Sequence, residues 1–241
     1  IGKRSYTPNL DKFAKNALIF TKAFANGPGT NQSFPSILSS TYFLMHGGLH
    51  LLPYYETLPE ILSRYGYRTV GFHSNPFLSS KFGWDKGFHE FYDYMDIVKS
   101  PSGLITKWRE GKSLSSFLIR LISSILKTGE NTYIQRALKR IYYHFSRFEI
   151  PYVEARVLTN NVINWIKKNI DRKFFIWMHY MDAHYPYIPP EEYLPNIFNS
   201  RKEAFEYNVS VNYSNPSKEE CRKMKLLYQS AIRYIDDCVG E

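Results

Sequence analysis

Cysteines and acidic residues are scarce in this sequence of 241 residues, and long apolar runs are missing. The two cysteines, Cys221 and Cys238, are too few for a disulfide framework and do not have zinc-ligand spacing. No apolar run reaches the roughly 20 residues of a membrane-spanning helix. The sequence also lacks a nucleic-acid-binding motif, so we expect no nucleic-acid partner. These absences exclude a disulfide-stapled domain, and they leave the cellular compartment unknown.

Acidic residues are outnumbered by basic ones, 22 to 31, which gives a formal net charge of +9. Most of the excess lies between Lys99 and Glu149, where ten basic residues face three acidic ones. Residues 96–150 are predicted to form a basic helical insertion, whose charges either cover a solvated helix surface or attract anionic partners such as phospholipid, glycan or nucleic acid. Within it, residues 113–127 place their apolar side chains on one helical face. That face contacts either a membrane surface or the rest of the domain, and both interpretations remain open.

Helix and strand patterns alternate along the rest of the chain. Hydroxyl N-caps precede three predicted helices, at Thr7, Thr57 and Ser217. Three segments have the composition of strands: 19–25, 67–72 and 174–180. This alternation is typical of an α/β fold, in which a mostly parallel sheet lies between helices. We therefore predict one α/β domain, formed by residues 1–95 and 151–241 and interrupted by the insertion.

Candidate reactive side chains follow the predicted strands, at the edge of the sheet where α/β proteins bind ligands. The segment GPGTNQSFPSILSSTY (27–42) offers two hydroxyl groups, those of Thr30 and Ser33. His73 follows the second predicted strand, and His184 follows the third. Thr30 is either the N-cap of a helix or a nucleophile. The residue types alone leave both interpretations open.

Five segments resemble the sulfatase family, which belongs to the alkaline-phosphatase superfamily. TPNLDKFAKNALIFTKAFANGPGT (7–30) resembles the opening of the family, and without a gap the family's catalytic Cys falls on Thr30 rather than Ser33. FFIWMHYMDAHYPYIPP (174–190) is the most specific match. The other three are LPEILSRYGYRTV (58–70), FGWDKGFHEFYDY (82–94) and YQSAIRYIDDCVGE (228–241). The resemblance implies the α/β fold of that superfamily and a metal-dependent ester hydrolase.

Departures from the family pattern bear on the chemistry. Sulfatases convert Cys or Ser at the nucleophile position into formylglycine, whereas Thr30 has a methyl group on Cβ and is expected to stay an alcohol. The Arg of the family motif falls on Phe34. FHSN (72–75) resembles the FHGN segment of the lipoteichoic acid synthase branch, whose threonine nucleophile acts on phosphoglycerol esters. The Trp and Arg that follow FHGN in that branch are missing, and Phe77 to Phe82 supply only Lys81 as a cation.

The resemblance implies a role for each matching residue. Thr30 is the catalytic nucleophile and a metal ligand, and His184 is the second catalytic residue, which binds or protonates the transferred group. His73, Asn75 and Lys81 bind the substrate. The family's other metal ligands match none of these 241 residues. We therefore expect a piece of a longer protein, which binds Ca²⁺, Mn²⁺ or Zn²⁺ through residues outside this chain.

Three functions are consistent with these residues. The first is hydrolysis of a sulfate ester by attack of residue 30. The second is phosphoester or phosphodiester hydrolysis, or phosphoglycerol-type transfer, by Thr30. The third is anion binding by an inactive member of the family. The expected substrate is an anionic ester of a sulfated or phosphorylated glycan or lipid, and the 241 residues alone are expected to be inactive.

Overall fold

A computed structural model describes residues 6–46, 50–95, 150 and 152–241. The helices in this part of the chain are α1 (Pro8–Ala14), α2 (Thr30–Ser39), α3 (Leu58–Arg64), α4 (Ala155–Asn169), α5 (Arg201–Ser210) and α6 (Lys218–Val239). The strands are β1 (Arg68–His73), β2 (Glu90–Tyr92) and β3 (Phe174–His179). The chain divides into two compact units. The sheet unit is Lys12–Val98 with Tyr152–Met181, and the helical unit is Ile1–Asp11 with Lys99–Pro151 and Asp182–Glu241.

The sheet unit contains three parallel strands in the order β2-β1-β3. β1 and β3 pair along their whole lengths, so that His73 lies beside His179 at the carboxyl end of the sheet. The even-numbered apolar residues of both strands belong to the core cluster that contains Trp165 of α4. Trp177, with its side chain on the opposite face, packs against the cluster that contains residues of α2. A parallel sheet with helices on both faces confirms the predicted α/β class.

Capping side chains define where two of the predicted helices begin. The Thr57 hydroxyl accepts a hydrogen bond from the Glu60 N–H at 3.3 Å, and the Glu60 carboxylate accepts one from the Thr57 N–H at 2.9 Å. Ser217 and Glu220 make the same reciprocal pair at the start of α6. These pairs satisfy N–H groups that a helix leaves without intrahelical partners. The N-caps predicted at Thr57 and Ser217 are therefore confirmed.

The helical unit is held together by an apolar core and a buried carboxylate. Five buried residues form the core: Phe198, Ala204, Val211, Met224 and Leu227. The carboxylate of Asp236, which is 0% exposed, accepts hydrogen bonds from the backbone N–H groups of Asn9 and Leu10 at 2.9 Å each. These N–H groups belong to the first turn of α1, where an anion is stabilised by the helix dipole. Asp236 of α6 thus fixes the beginning of α1.

Two expectations about the strands are wrong. Residues 19–25 do not form a strand, because the described sheet contains no partner for their backbone groups. Ile19, Phe20 and Phe24 stay exposed as a result. Thr30 therefore follows an irregular segment and not the end of a strand. Conversely, β2 is a strand that the sequence pattern does not predict, because three residues are too few to show an alternation.

Part of the prediction lies outside the described residues. This applies to almost all of the insertion 96–150, including the helix 113–127 and its proposed membrane contact. The predicted domain limits at 95 and 151 stay predictions for the same reason. In the portion that the structure describes, no helix combines the length and the apolar character needed to cross a bilayer.

Candidate active site

Thr30, the candidate nucleophile, is the first residue of α2. Its N-cap, Gly29, has an extended backbone and offers no capping side chain. Among the described residues, the backbone N–H groups of Thr30 and Asn31 have no acceptor. Free N–H groups and the positive end of the helix dipole favour an anion beside the first turn. The start of α2 can therefore bind a negatively charged group next to the Thr30 hydroxyl.

The turn before Thr30 requires glycine and uses the hydroxyl of Ser33. A methyl group on Gly27 would lie 2.2 Å from Cβ of Gln32, so any side chain there would displace the first turn of α2. The Ser33 hydroxyl donates a hydrogen bond to the Gly27 carbonyl at 2.7 Å. Ser33 thus closes the turn, and the assignment of the nucleophile to Thr30 stays a prediction.

Asn75 brings a polar side chain to Thr30. Its Oδ1 accepts a hydrogen bond from the Phe77 N–H at 3.0 Å, which fixes the orientation of the amide. The other end of the amide, Nδ2, then donates to the Thr30 hydroxyl at 3.4 Å. Asn75 itself is 3% exposed. The structure thus brings together two of the predicted site residues, Thr30 and Asn75.

His73 is fully buried at the end of β1, between two aromatic rings. The ring centroids of Phe91 and Trp177 lie 5.0 and 5.1 Å from that of the imidazole. The Asn75 N–H donates to Nδ1 at 3.1 Å, so the proton of the neutral ring is on Nε2. Burial, and next the neighbouring His179, lower the pKa of His73 to about 3. Nε2 has no hydrogen-bond partner in the part of the chain that is described, so His73 is a neutral donor.

Phe34 occupies the position at which the family motif has Arg. Its ring is 9% exposed and packs edge-on against Trp177 at 5.8 Å and against His179 at 5.1 Å. Phe175, the second residue of β3, lies on the same face of the sheet as Trp177. Phe34 therefore belongs to the core beneath α2 and supplies no charge to the site.

Lys81 lies in a short turn, Ser80–Phe82, and its side chain is exposed. The hydroxyl of Ser79 caps this turn by accepting a hydrogen bond from the Lys81 N–H at 3.1 Å. The ammonium group makes no hydrogen bond or salt bridge with the described residues. The structure therefore gives no contact that would fix Lys81 on a substrate, and its binding role stays a prediction.

His184 belongs to the helical unit, where it is exposed to solvent. Its Nδ1 lies 2.6 Å from the carbonyl oxygen of Tyr185. A carbonyl can only accept, so Nδ1 carries the proton and Nε2 has a free lone pair when the ring is neutral. This geometry suits a group that exchanges a proton through Nε2 with a bound molecule. The predicted catalytic role of His184 stays a prediction.

A divalent metal requires several carboxylate, imidazole or thiolate ligands. No group of three or more such side chains that could hold an ion occurs within the described residues. Of the predicted ligands, the chain contributes only the hydroxyl of Thr30. The described residues therefore do not by themselves fit a metal site, and the expected Ca²⁺, Mn²⁺ or Zn²⁺ requires ligands from elsewhere.

The arrangement around Thr30 can be compared with known proteins. The family profile for Sulfatase matches residues 1–241, the entire chain. This chain belongs to the sulfatase family. No curated protein matches it. The lipoteichoic acid synthase LtaP from Listeria monocytogenes has a similar crystal structure, with a TM-score of 0.57 and 15% sequence identity over 98% of this chain. The match covers 45% of the LtaP chain, and at this identity it shows the alkaline-phosphatase-like fold alone.

Two site residues of this sulfatase domain were not predicted, Phe91 and Trp177. They bury the imidazole of His73 and so keep it neutral. The signal for Trp177 is the two-residue period of a strand, which places residues 175, 177 and 179 on one face. No comparable signal exists for Phe91, because β2 has only three residues.

Proposed function

We propose that this sulfatase-family protein cleaves or transfers a singly charged phosphodiester by attack of the Thr30 hydroxyl. The observation that carries the proposal is the neutral set of donors around that hydroxyl. The set consists of the first N–H groups of α2 and the Asn75 amide, whose Nδ2 lies 3.4 Å from the Thr30 hydroxyl. Phe34 adds no cation. These donors add no positive charge of their own, so a singly charged phosphodiester needs less compensation from other groups than a doubly charged phosphate monoester.

The reaction follows from the position of Thr30. Its oxygen forms a bond to phosphorus while the ester oxygen on the opposite side departs and takes up a proton. A water molecule or an acceptor alcohol then attacks phosphorus and releases the Thr30 oxygen, so the enzyme is regenerated. An alcohol is a weak nucleophile, and the dipole of α2 with the Asn75 N–H lowers the free energy of its alkoxide. The free N–H groups at the start of α2 stabilise charge that develops on the phosphoryl oxygens.

A sulfate monoester is the second candidate substrate, and its single negative charge favours it. It would meet the same neutral donors, and the family profile is that of sulfatases. Because Thr30 has a methyl group on Cβ, oxidation would give a ketone, and the attack would come from an alcohol and not from formylglycine. The two substrates therefore share one nucleophile and differ in the atom that it attacks.

The test compares three aryl esters in the full-length protein with Ca²⁺, Mn²⁺ or Zn²⁺: a phosphodiester, a sulfate and a phosphate monoester. We expect turnover of the phosphodiester and a loss of at least ~1,000-fold in kcat for Thr30→Ala. Ser33→Ala is the matched control, because it removes the neighbouring hydroxyl, and less than a tenfold loss is expected. Mass spectrometry of the quenched enzyme should locate a phosphoryl group on Thr30. Turnover of the sulfate alone would establish the second candidate, and activity that survives in Thr30→Ala would exclude both.

A further inference from the structure

Two consecutive turns connect the buried end of β1 with the Thr30 hydroxyl, and both lie in the sheet unit. In the first turn, Nδ1 of His73 accepts a hydrogen bond from the Asn75 N–H at 3.1 Å. In the second turn, Oδ1 of Asn75 accepts a hydrogen bond from the Phe77 N–H at 3.0 Å. Each side chain thus bonds to the backbone two residues further along, as in an Asx turn. The second turn leaves Nδ2 of Asn75 at 3.4 Å from the Thr30 hydroxyl.

The imidazole at the start of these turns is held on both of its faces. His73 is 0% exposed, and the ring centroids of Phe91 and Trp177 lie 5.0 and 5.1 Å from that of the imidazole. The backbone is also fixed, because β1 pairs with β3 as far as His73, which lies beside His179. A side chain that is packed in this way has little freedom to rotate. Nδ1 of His73 is therefore an acceptor in a fixed position.

The chain between His73 and Asn75 is fixed as well. The hydroxyl of Ser74, which is buried, accepts a hydrogen bond from the Val153 N–H at 3.1 Å. Asn75 has an extended backbone, as expected for a residue that precedes a proline, here Pro76. The bond from the Asn75 N–H to Nδ1 then sets the direction in which the chain leaves β1. The orientation of the Asn75 amide beside Thr30 therefore depends on His73.

We infer that His73 is a positioning residue, which acts on Thr30 through Asn75 and does not contact the substrate. The inference rests on the proposed function, because it assigns how the donor beside the nucleophile is held. Nε2, the other ring nitrogen, is buried and has no hydrogen-bond partner among the described residues. A buried N–H without a partner destabilises a fold, whereas the bond at Nδ1 orients Asn75. The contribution of the imidazole therefore lies at Nδ1.

Asparagine and glutamine at position 73 distinguish the two ring nitrogens. The amide oxygen of asparagine is as many bonds from Cα as Nδ1 of histidine, and the amide nitrogen of glutamine is as many as Nε2. In the full-length protein with the metal that supports turnover of the aryl phosphodiester, His73→Gln should lower kcat about 30-fold and change KM less than about twofold. His73→Asn keeps the acceptor and should stay within about fivefold of the wild type. Equal losses in the two variants, or the reverse order, would overturn the inference.

A double variant tests whether His73 acts through Asn75. Added to Asn75→Ala, His73→Gln should lower kcat by less than about threefold more, because the amide that it positions is already absent. Losses that multiply would show an independent contact with the substrate and would overturn the inference. His89→Gln is the matched control, since Nδ1 of His89 accepts a hydrogen bond from the Thr69 N–H at 3.2 Å near the other end of β1. It should leave kcat within about twofold of the wild type.

A second measurement separates this inference from the proposed function. Hydrogen exchange at the Asn75 backbone N–H reports the bond to Nδ1 without any turnover. Exchange should be at least about tenfold faster in His73→Gln than in the wild type, and close to the wild-type rate in His73→Asn. If no ester is hydrolysed but exchange follows this order, the proposed reaction fails and the positioning of Asn75 by His73 stands. Equal exchange in the wild type and His73→Gln would overturn the inference, whatever the activity.

Discussion

His73 and His184 are the two histidines among the predicted site residues, yet their surroundings are opposite. His73 is completely buried in the sheet unit, and its Nδ1 accepts a hydrogen bond from the Asn75 N–H. His184 is exposed in the helical unit, and its Nδ1 donates to the Tyr185 carbonyl. The hydrogen bond at Nδ1 therefore places the ring proton on Nε2 of His73 and on Nδ1 of His184.

The different hydrogen bonds at Nδ1 give the two imidazole rings different chemistry at Nε2. Nε2 of His73 carries the proton of the neutral ring but is buried between aromatic side chains. At the same atom, His184 offers a lone pair, which suits the uptake and return of a proton. The fold makes this distinction through one backbone N–H and one backbone carbonyl. Substitutions that change the residues around each histidine therefore test whether the two side chains differ in this way.

The largest expected effect concerns the stability of the sheet unit in acid. The pKa of His73 is about 3 in the folded state and near 6.5 in the unfolded state, so only the unfolded state binds the proton between these values. The free energy of unfolding should therefore fall by ~1.4 kcal/mol for each pH unit below 6.5, until the pH approaches 3. Urea unfolding from pH 7 to pH 4, monitored by tryptophan fluorescence, measures the slope.

His73→Gln tests the origin of this slope, because glutamine keeps a polar group and does not titrate. The variant should lose most of the pH dependence. His179→Gln removes the second cause of the lowered pKa of His73, so the pKa of the folded state should rise and the free energy of unfolding should fall over a narrower pH range. An unchanged slope in His73→Gln would show that another group is responsible.

The next largest effect concerns the donor beside Thr30. Asn75→Ala removes the Nδ2 group that lies 3.4 Å from the Thr30 hydroxyl, and kcat should fall about 100-fold with little change in KM. The expected pattern arises because the interaction is stronger when the oxygen is charged than in the ground state. Asn169→Ala is the control, since that amide only donates to the Trp165 carbonyl within α4. Equal losses in both variants would indicate a general effect on stability.

Some parts of this structure are predicted well from the sequence because they depend on residues that are close together in the chain. Capping boxes such as Thr57 with Glu60 are local, because both partners lie within three residues. The ungapped alignment that places the nucleophile at Thr30 also depends on neighbouring residues, and it stays a prediction. The neutral state of His73 is not local. It depends on Phe91 and Trp177, which are 18 and 104 positions away in the printed sequence and come close only when the strands pair.

The strand predicted at residues 19–25 is wrong because the sequence of a segment does not show whether the segment has a pairing partner. Their β-branched and aromatic residues indicate a strand, but a strand exists only with a hydrogen-bonding neighbour. Composition reports the preference of the segment and does not report whether a partner is present. The same limit applies to Phe34. The motif shows that Phe34 replaces an Arg, but only the structure shows that its ring packs against Trp84 and Trp177 in the core.

A smaller effect is expected from the buried carboxylate of the helical unit. Asp236→Asn keeps the size of the side chain but replaces one acceptor oxygen by a donor, which then faces the N–H groups of Asn9 and Leu10. The free energy of unfolding of this unit should fall by about 2 kcal/mol. Glu219→Gln on the same helix breaks an exposed ion pair with Arg222 and should leave the stability almost unchanged. Thermal unfolding of both variants, with hydrogen exchange at α1 as the local probe, tests the difference.

The smallest effect is expected for Lys81, the cation that the sequence motif assigned to substrate binding. Its ammonium group is exposed, has no hydrogen-bond or salt-bridge partner among the described residues, and is screened by salt. Lys81→Ala should therefore lower kcat/KM by less than about threefold at physiological ionic strength, because only long-range attraction of the anion is lost. The remaining effect should disappear as salt is raised. A loss above tenfold that persists at high salt would show that Lys81 contacts the substrate directly, and the set of donors around Thr30 would then no longer be neutral.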